Sequence, residues 1–322
     1  MNKMPTLQMI RKAAVTLNEI VRKTPVIPFG GSGGNLFIKA ENLQVTGSFK
    51  IRGAYNKLKN LTAKEASKGV IACSAGNHAQ GVAFAARRLG MHAVICMPEN
   101  APIMKVGATR GYGAKVVLVP GSYDDAAREA ERLSAERGLT FAHPFNDPLV
   151  IAGQGTIGIE ILEQMPDLQQ VVVPVGGGGL LSGVAVAIKS LRPDVRVIGV
   201  QTVNVPSMYA SYGMDEVQTM RNRETIADGI HVLTPGNLTF EIIEKHVDDI
   251  VTVTENEIKD AIVALLEGPK LVSEGAGATS VASYMFDRID TSLRTVAVVS
   301  GGNIDLSVLG RIVLSGFTSY SR

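Results

Sequence analysis

The chain has 322 residues, of which 45% are hydrophobic and 19% charged, enough apolar material for one large or two smaller globular domains. Its formal net charge of +2 is close to neutral and no basic run occurs, so neither nucleic acid nor an anionic membrane is an expected partner. No segment approaches roughly 18 consecutive apolar residues, which excludes a membrane span, and the two cysteines favour a reducing, cytoplasmic location over a disulfide scaffold.

The first half of the chain alternates short apolar strands with helices. Residues 7–22 have the apolar spacing of an amphipathic helix, with charged residues that exclude a signal peptide, and Thr24-Pro25 is a helix stop. The other predicted helices cover 49–61, 79–89, a segment from about residue 102, and 124–137. The predicted strands cover 35–40, 70–74, 93–97, 115–119 and 140–142. This alternation indicates a parallel sheet with right-handed crossovers.

The second half repeats the alternation after residue 150. Predicted strands cover 171–175, 195–201 and 295–300. Predicted helices cover 153–165, 180–191, 238–245, 255–266 and a segment after Gly277, with a less regular stretch at 204–235. A second open α/β sheet is therefore expected. Without a low-complexity linker, the two domains should pack together with a cleft between them.

A run of four glycines, Gly176, Gly177, Gly178 and Gly179, lies between a predicted strand and a predicted helix that opens at Leu180. Free backbone N–H groups and a helix N-terminus at such a turn bind phosphate. A tight turn alone is the alternative, but one or two glycines would satisfy it. The dinucleotide fingerprint and the triphosphate loop both lack required residues here. A small monophosphate is the remaining ligand.

Lys50 closes the turn Thr46-Gly47-Ser48-Phe49-Lys50 at the start of a predicted helix. Such a lysine is ordinarily a solvated side chain. Beside a phosphate clamp, however, it has the chemistry of a Schiff-base lysine that later carries a proton. An apolar neighbour such as Phe49 and the helix N-terminus would lower the pKa of Lys50, which assists both roles.

Two further polar turns follow predicted strands. The loop Ser74-Ala75-Gly76-Asn77-His78 could seat a substrate carboxylate on its N–H groups, and Asn77 could donate to a cofactor's phenolic oxygen. A helix cap with a surface imidazole is the alternative for Asn77 and His78. Ser300 ends the last predicted strand, where open α/β sheets bind ligands. A neutral serine at this place could form a hydrogen bond with the pyridine nitrogen of a cofactor without fixing a positive charge on it.

These residues lie in seven segments that occur in the order found in fold-type II pyridoxal-5′-phosphate (PLP) enzymes. The segments are ENLQVTGSFKIRGA, SAGNHAQGVA, HPFNDPLVIAGQGT, PVGGGGLLSG, TIADG, SEGAGA and VVSGGNIDL. The chain resembles the threonine/serine dehydratase branch, most closely the short catabolic threonine dehydratases, over residues 24–306. The sulfhydrylase branch has a different sequence around its lysine.

The resemblance implies a fold and a set of site residues. The implied fold is α/β and tryptophan synthase β-like, with two open parallel-sheet domains and PLP in the cleft between them. Residues 1–45 and 147–322 would form the large domain and residues 46–146 the small one, with no C-terminal regulatory domain and no inhibition by isoleucine. Lys50 would form the Schiff base, Phe49 would pack on the ring and Asn77 would bind O3′. The remaining implied ligands are Gly176, Gly177, Gly178, Gly179 and Leu180 for the phosphate, Gly229, Glu274 and Ser300 for the ring, and Ser74, Ala75, Gly76 and His78 for the substrate carboxylate.

The implied activity is elimination of water from L-threonine or L-serine, giving a 2-oxo acid and ammonia. The alternatives are a serine racemase on the same scaffold and a catalytically silent PLP-binding protein. Resembling racemases carry a serine at the position of Ala75 and acidic residues near Gln201 and Ser207, so neither racemisation nor a divalent metal is expected. The resemblance leaves room for a monovalent cation, a nucleotide activator and a homodimer or homotetramer.

Overall fold

The computed structural model describes residues 4–30 and 34–319. The helices are α1 (Leu7–Leu17), α2 (Lys50–Lys59), α3 (Ala63–Lys68), α4 (Asn77–Arg88), α5 (Ile103–Gly111), α6 (Tyr123–Arg137), α7 (Pro148–Gln164), α8 (Gly179–Leu191), α9 (Ser207–Met214), α10 (Asn237–His246), α11 (Glu255–Glu267), α12 (Gly275–Met285) and α13 (Leu306–Ser319). The strands are β1 (Val26–Pro28), β2 (Leu36–Ala40), β3 (Val70–Cys73), β4 (Ala93–Pro98), β5 (Lys115–Val119), β6 (Thr140–Phe141), β7 (Gln170–Pro174), β8 (Arg196–Thr202), β9 (Asp249–Val253) and β10 (Thr295–Val299). Short 3-10 helices cover Glu41–Leu43 and Asp228–Ile230.

The larger sheet has the strand order β1-β2-β10-β7-β8-β9. Its pairs are parallel except for the edge strand β1, which runs antiparallel to β2. Every residue of β7 and β10 is buried, as expected for central parallel strands covered by helices on both faces. Two apolar cores lie against this sheet, one packed with α12 and the other with α8.

The smaller sheet has the parallel order β5-β4-β3-β6. Strands β3 and β4 are buried throughout, between a core that includes α2 and α4 and a core that includes α6. The expected fold class, two open sheets wound by helices, is therefore confirmed. The chain passes from the larger sheet to the smaller one between Ala40 and Val70 and returns between Phe141 and Gln170, and the domain boundaries at residues 45/46 and 146/147 stay a prediction within those intervals.

The carboxyl ends of the two sheets meet. Asn77 follows β3 and Asn303 follows β10, and their side-chain amides are hydrogen-bonded at 2.7 Å. Loops at the carboxyl ends of parallel strands are where open α/β sheets bind ligands. The contact therefore brings both sets of ligand-binding loops to one place.

Helices α2, α7 and α8 pack at backbone contact. A Cβ atom on Gly153 of α7 would lie 2.6 Å from the carbonyl oxygen of Arg52 in α2. A Cβ atom on Gly183 of α8 would collide with the carbonyl of Ile151 in α7. Glycine at these two positions lets α2 and α8 pack closely against α7.

Several boundaries differ from the predicted ones. The first helix ends at Leu17 rather than at residue 22, because Glu19 adopts a left-handed φ of 65° and the N–H of Arg22 donates to Gln44 Oε1 at 2.8 Å. Helix α7 begins at residue 148 rather than 153, since Asp147 caps it and Pro148 occupies its first turn. Strands β1 and β9 and helices α3, α9 and α13 were not predicted. Among residues 4–30 and 34–319, no helix combines the length and apolarity needed to cross a bilayer.

Candidate active site

The turn that carries Lys50 is fastened to the end of β10. The N–H of Phe49 donates to the carbonyl of Ser300 at 3.1 Å, and Ser48 forms a β-bridge with Gly301. These backbone contacts place the predicted lysine and the predicted Ser300 on adjacent stretches of chain. Lys50 itself is the first residue of α2.

The amine of Lys50 lies in a largely apolar setting beside the cleft. Its Nζ donates to the carbonyl of Pro144 at 3.0 Å and lies 5.3 Å from the centre of the Phe49 ring. Burial lowers the pKa of Lys50 to about 8, and the Glu274 carboxylate offsets part of that shift. A substantial fraction of the amine is therefore neutral near pH 7–8, as a nucleophile or base requires.

The glycine run connects β7 to α8, and packing explains part of it. A Cβ on Gly177 would collide with the Phe145 ring, a Cβ on Gly179 would lie 2.9 Å from the Cα of Phe145, and Gly178 has a φ of 97°. The N-terminus of α8 has no side-chain cap and no acidic residue in its first turn, where Leu180 lies. Its first N–H groups are thus available to an anion.

A loop over residues 142–146 lies between the lysine and the glycine run, because Pro144 contacts Lys50 and Phe145 contacts Gly177. The loop is held by His143, whose Nδ1 accepts the N–H groups of Phe145 at 3.2 Å and Asn146 at 2.8 Å. Burial and the charge of Lys50 lower the pKa of His143 to about 4. The imidazole is therefore neutral and acts as a hydrogen-bond acceptor.

His78 also supports this loop. Its imidazole is buried and its Nε2 is 2.8 Å from the carbonyl of Ala142, so the neutral ring donates there. Burial, followed by the charge of Lys50, lowers the pKa of His78 to about 3. The side chain thus faces the protein interior, and only its backbone N–H is left for the predicted carboxylate site.

Glu274 is the point at which Asn77, Gly229 and the loop after Ser300 come together. Asn77 Nδ2 donates to Glu274 Oε1 at 2.6 Å, and Cβ atoms on Gly229 and Gly301 would lie 3.2 and 2.5 Å from that oxygen. Burial and the nearby charge of Asp228 raise the pKa of Glu274 to about 7. Glu274 is thus poised between its neutral and charged forms.

The predicted carboxylate loop is open. Ser74 Oγ accepts the N–H of Gly76 at 3.1 Å, and no atom lies within 4 Å of a Cβ built on Gly76. Helix α4 begins at Asn77 with no side-chain cap and no acidic residue in its first turn. A second uncapped helix N-terminus therefore faces free space, as a small anion requires.

The site fits the cofactor that the sequence predicts. A lysine of lowered pKa, an uncapped helix after a glycine turn and an asparagine side chain are arranged around one cleft. The buried hydroxyls of Thr46 and Ser48 have no hydrogen-bond partner among the described residues, so polar groups remain for a ligand to satisfy.

The segment after β8 has little capacity for a divalent ion. Gln201 Oε1 accepts the N–H of Tyr209 at 2.8 Å, and Ser207 Oγ donates to the carbonyl of Val232 at 2.6 Å. Within residues 4–30 and 34–319, no three His, Cys, Asp or Glu residues are grouped as metal ligands. Divalent ions prefer carboxylates, which neither Gln201 nor Ser207 supplies.

Sequence reasoning assigned no role to Pro144, Phe145 or Asn303, although each lies in a segment that carried the resemblance. Their positions in the sequence could have indicated a role. Residues 143–146 follow the last strand of the smaller sheet, and residues 301–303 follow the last strand of the larger one. Loops at these ends bind ligands in open sheets. The contact of Pro144 with Lys50 and that of Asn303 with Asn77 could be seen only in the structure.

Comparison with known proteins gives one family. The family model described as pyridoxal-phosphate dependent enzyme matches residues 17–301. The L-threonine ammonia-lyase of Thermotoga maritima is 51% identical over 324 residues, covering 99% of this chain and 80% of the relative. The catabolic L-threonine dehydratase of Escherichia coli (strain K12) is 50% identical, covering 87% of this chain and 86% of the relative.

Comparison with solved structures gives similar enzymes. Processed threonine deaminase isoform 2 from Solanum lycopersicum superposes with a TM-score of 0.91 at 37% identity, over 97% of this chain and 90% of that one. Maize serine racemase superposes with a TM-score of 0.91 at 33% identity, over 99% of this chain and 100% of that one. The fold is thus shared by eliminating and racemising enzymes, and side chains in the site must distinguish them.

Proposed function

Because the chain belongs to the pyridoxal-phosphate-dependent enzyme family, we propose that it is an L-threonine/L-serine ammonia-lyase, which converts a small hydroxy amino acid to a 2-oxo acid and ammonia. The observation that carries the proposal is the setting of Lys50: a half-buried amine of lowered pKa that donates to the carbonyl of Pro144, in the loop whose Phe145 packs on Gly177.

The cofactor would be held by residues from both sheets. Bound pyridoxal phosphate supplies an aldehyde that condenses with amines and a ring that takes up the electron pair released at Cα. We assign its phosphate to the N–H groups at the start of α8. The ring contacts are assigned to Phe49, Asn77, Gly229, Glu274 and Ser300. An uncharged Ser300 at the pyridine nitrogen adds no carboxylate charge there.

Lys50 is the base in the proposed reaction. Its neutral Nζ takes the Cα proton of the substrate, a step in which a positioned base contributes about 10²–10⁴-fold. The carbonyl of Pro144, 3.0 Å away, then accepts a hydrogen bond from the resulting ammonium. The loop held by His143 therefore keeps the protonated amine in the cleft.

The atoms of the reaction balance without an added oxidant or reductant. The uncapped start of α4 and the loop at 74–77 hold the substrate carboxylate, which leaves Cα facing Lys50. The β-hydroxyl departs with a proton as water. The released unsaturated amine is then hydrolysed by water, so threonine yields one 2-oxobutanoate and one ammonia.

The first test is an assay of 2-oxo acid and ammonia from L-threonine and L-serine, with Lys50→Ala as the decisive variant. We expect wild type to form both products, and Lys50→Ala to lose at least about 10²-fold in rate while remaining folded. Lys59→Ala, at the exposed end of the same helix, is the control and should keep its rate. A Lys50→Ala enzyme with one tenth of the wild-type rate would refute the assignment. A wild type without products would favour a silent PLP-binding protein.

A racemase is the second candidate, since racemases share the fold. Racemisation needs a second acid or base on the face of the planar carbon opposite Lys50. Ala75 has no proton to donate, and the Ser74 hydroxyl is turned back to the N–H of Gly76 within its own loop. We expect negligible D-serine in unreacted substrate at partial conversion, by chiral chromatography, and a rise in Ala75→Ser. D-serine formed as fast as pyruvate would overturn the lyase proposal.

The proposal includes a cytoplasmic homodimer or homotetramer, with a monovalent cation and a nucleotide as candidate activators. Both cysteines, Cys73 and Cys96, are buried free thiols, as suits a reducing compartment. The mass of the native protein by light scattering tests the assembly. Rates measured with added nucleotides and with potassium in place of a large organic cation test the two activators.

A further inference from the structure

Asn303 joins the two loops that flank the candidate cofactor site. Its Nδ2 donates to the carbonyl of Thr46 in the lysine turn at 2.9 Å, and to Asn77 Oδ1 at 2.7 Å. One primary amide thus uses both of its hydrogens, one on each loop. The side chain is partly buried and follows the end of β10.

The bond to Asn303 determines how the Asn77 amide is oriented. Because Asn77 Oδ1 accepts from Asn303, its Nδ2 must point the other way, where it donates to Glu274 Oε1 at 2.6 Å. The second hydrogen on that Nδ2 is then the donor that remains for a ligand. Reversing the amide would present an oxygen to Glu274 and to the ligand.

The contact with the lysine turn is equally specific. Gly47 has a φ of 72°, and a Cβ there would collide with Asn303 Oδ1. The N–H of Gly302 donates to the carbonyl of Gly47 at 2.9 Å. The turn that leads to Lys50 is therefore shaped to receive the Asn303 side chain.

We propose that Asn303 is a positioning residue that fixes the donor orientation of Asn77 and the lysine turn together, so that the cofactor site is assembled before pyridoxal phosphate binds. The inference rests on the proposed function, and it concerns a residue that contacts the loops rather than the cofactor. The side chain at position 303 must donate two hydrogen bonds, because a side chain of the same shape without those donors would not orient Asn77.

Asn303→Asp tests this, since aspartate keeps the shape and replaces the donor with an acceptor. We expect the affinity of the apoenzyme for pyridoxal phosphate, titrated by absorbance, to fall at least about tenfold, the cost of one well-placed hydrogen bond and an unpaired partner. Asn42→Asp is the matched control. Asn42 Nδ2 also donates to a backbone carbonyl, that of Val272 at 3.0 Å, and among the described residues Asn42 has no hydrogen bond to Asn77 or to residues 46–50. Its cofactor affinity should stay within about twofold of wild type.

A second readout separates positioning from simple loss of stability. In Asn303→Asp, Asn77 would turn its oxygen toward Glu274, which is tolerated only while Glu274 is protonated. Asp228, Lys105 and Lys50 act on the charge of Glu274 in the wild type, and Asn303→Asp adds one more carboxylate beside Asn77, which raises the pKa of Glu274 further. The cofactor affinity of Asn303→Asp should therefore fall, relative to wild type at each pH, as pH rises above about 7.

The outcomes are distinguishable. If wild type does not bind pyridoxal phosphate, the proposed function fails. If wild type binds it, and Asn303→Asp and Asn42→Asp have the same affinity and pH dependence, the inference about Asn303 is wrong. Should Asn303→Asp not fold, Asn303→Ala removes the donor without adding a charge. Its affinity must still fall by about tenfold for the inference to stand.

Discussion

The amine of Lys50 rests against the carbonyl of Pro144, and burial holds its pKa near 8. Capture of an aldehyde needs the neutral amine, so the rate at which the apoenzyme takes up pyridoxal phosphate should rise with pH to a midpoint near 8. Stopped-flow absorbance measures this rate. A free lysine side chain, with a pKa of about 10.4, is the reference compound. A midpoint above 10 in the enzyme would contradict the described environment.

The residues proposed to act through their own chemistry were accessible from the sequence, whereas the residue proposed to act through another residue was not. Lys50, Asn77 and the glycine run stand out because their types suit a Schiff base, a ring donor and a phosphate. Asn303 is 226 positions from Asn77, and nothing local to either residue indicates that their amides meet. For His78 the resemblance implied a place in the substrate carboxylate site, and the structure turns its buried imidazole toward Ala142, which leaves only the backbone N–H for that role.

At the scale of elements, the start of α2 is anchored by a buried ion network around Arg52. Its guanidinium donates to both carboxylate oxygens of Glu41, beside β2, and to both of Glu160, in α7. Lys39 of β2 adds a further bond to Glu160 at 2.6 Å. Burial disfavours the Arg52 charge, but the two carboxylates outweigh it and raise the pKa of Arg52. The network therefore ties α2 to α7 and the larger sheet.

Removing Arg52 should be costly because it leaves the buried carboxylate of Glu41 without its cation, and leaves Glu160 with Lys39 alone. We expect Arg52→Ala to lower the free energy of unfolding by about 3–5 kcal/mol. Arg132→Ala is the control: Arg132 pairs with Glu129 and Glu136 on the exposed face of α6, so its loss should cost less than about 1 kcal/mol. Urea unfolding followed by circular dichroism measures both. Equal losses in the two variants would show that the network does not anchor α2.

Helices and strands were predicted correctly where apolar periodicity is strong, and their boundaries were predicted wrongly where tertiary contacts determine them. The buried strands β3, β4, β7 and β10 were all predicted. Strand β9 was missed although Asp249–Val253 reads as a short β-rich run between two helices, a signal that was available. The early end of α1 was not accessible locally, since it depends on the hydrogen bond from Arg22 to Gln44 in another segment.

At the scale of the whole molecule, an ion pair spans the cleft. Lys105 of α5, on the side of the smaller sheet, pairs with Asp228 in the 3-10 helix beside the larger one. Because the pair joins the two sides of the cleft, Lys105→Met should loosen their contact and raise KM for L-threonine about two- to fivefold. The free energy of unfolding should change by less than about 1 kcal/mol. Steady-state kinetics at low and high salt check this, since salt screens such pairs.

The control for that variant is Lys23→Met. Lys23 pairs with Glu163 at 2.6 Å, with both side chains 56% exposed. This pair lies away from Asp228 and should leave KM unchanged. If both lysine variants have wild-type KM at low salt, the Lys105–Asp228 pair has no part in closing the cleft.

The pairing of β2 with β10 also bears on the order in which parts of the protein can fold during translation. Residues 36–40 leave the ribosome long before residues 295–299, their partners in the sheet. The strands of the smaller sheet lie within residues 70–141, so that sheet can form while later residues are still being translated. Only after β10 has emerged do the lysine turn, Asn77 and Asn303 meet. A chain that is still being translated therefore completes its cofactor pocket last, after residues 295–303 have emerged from the ribosome.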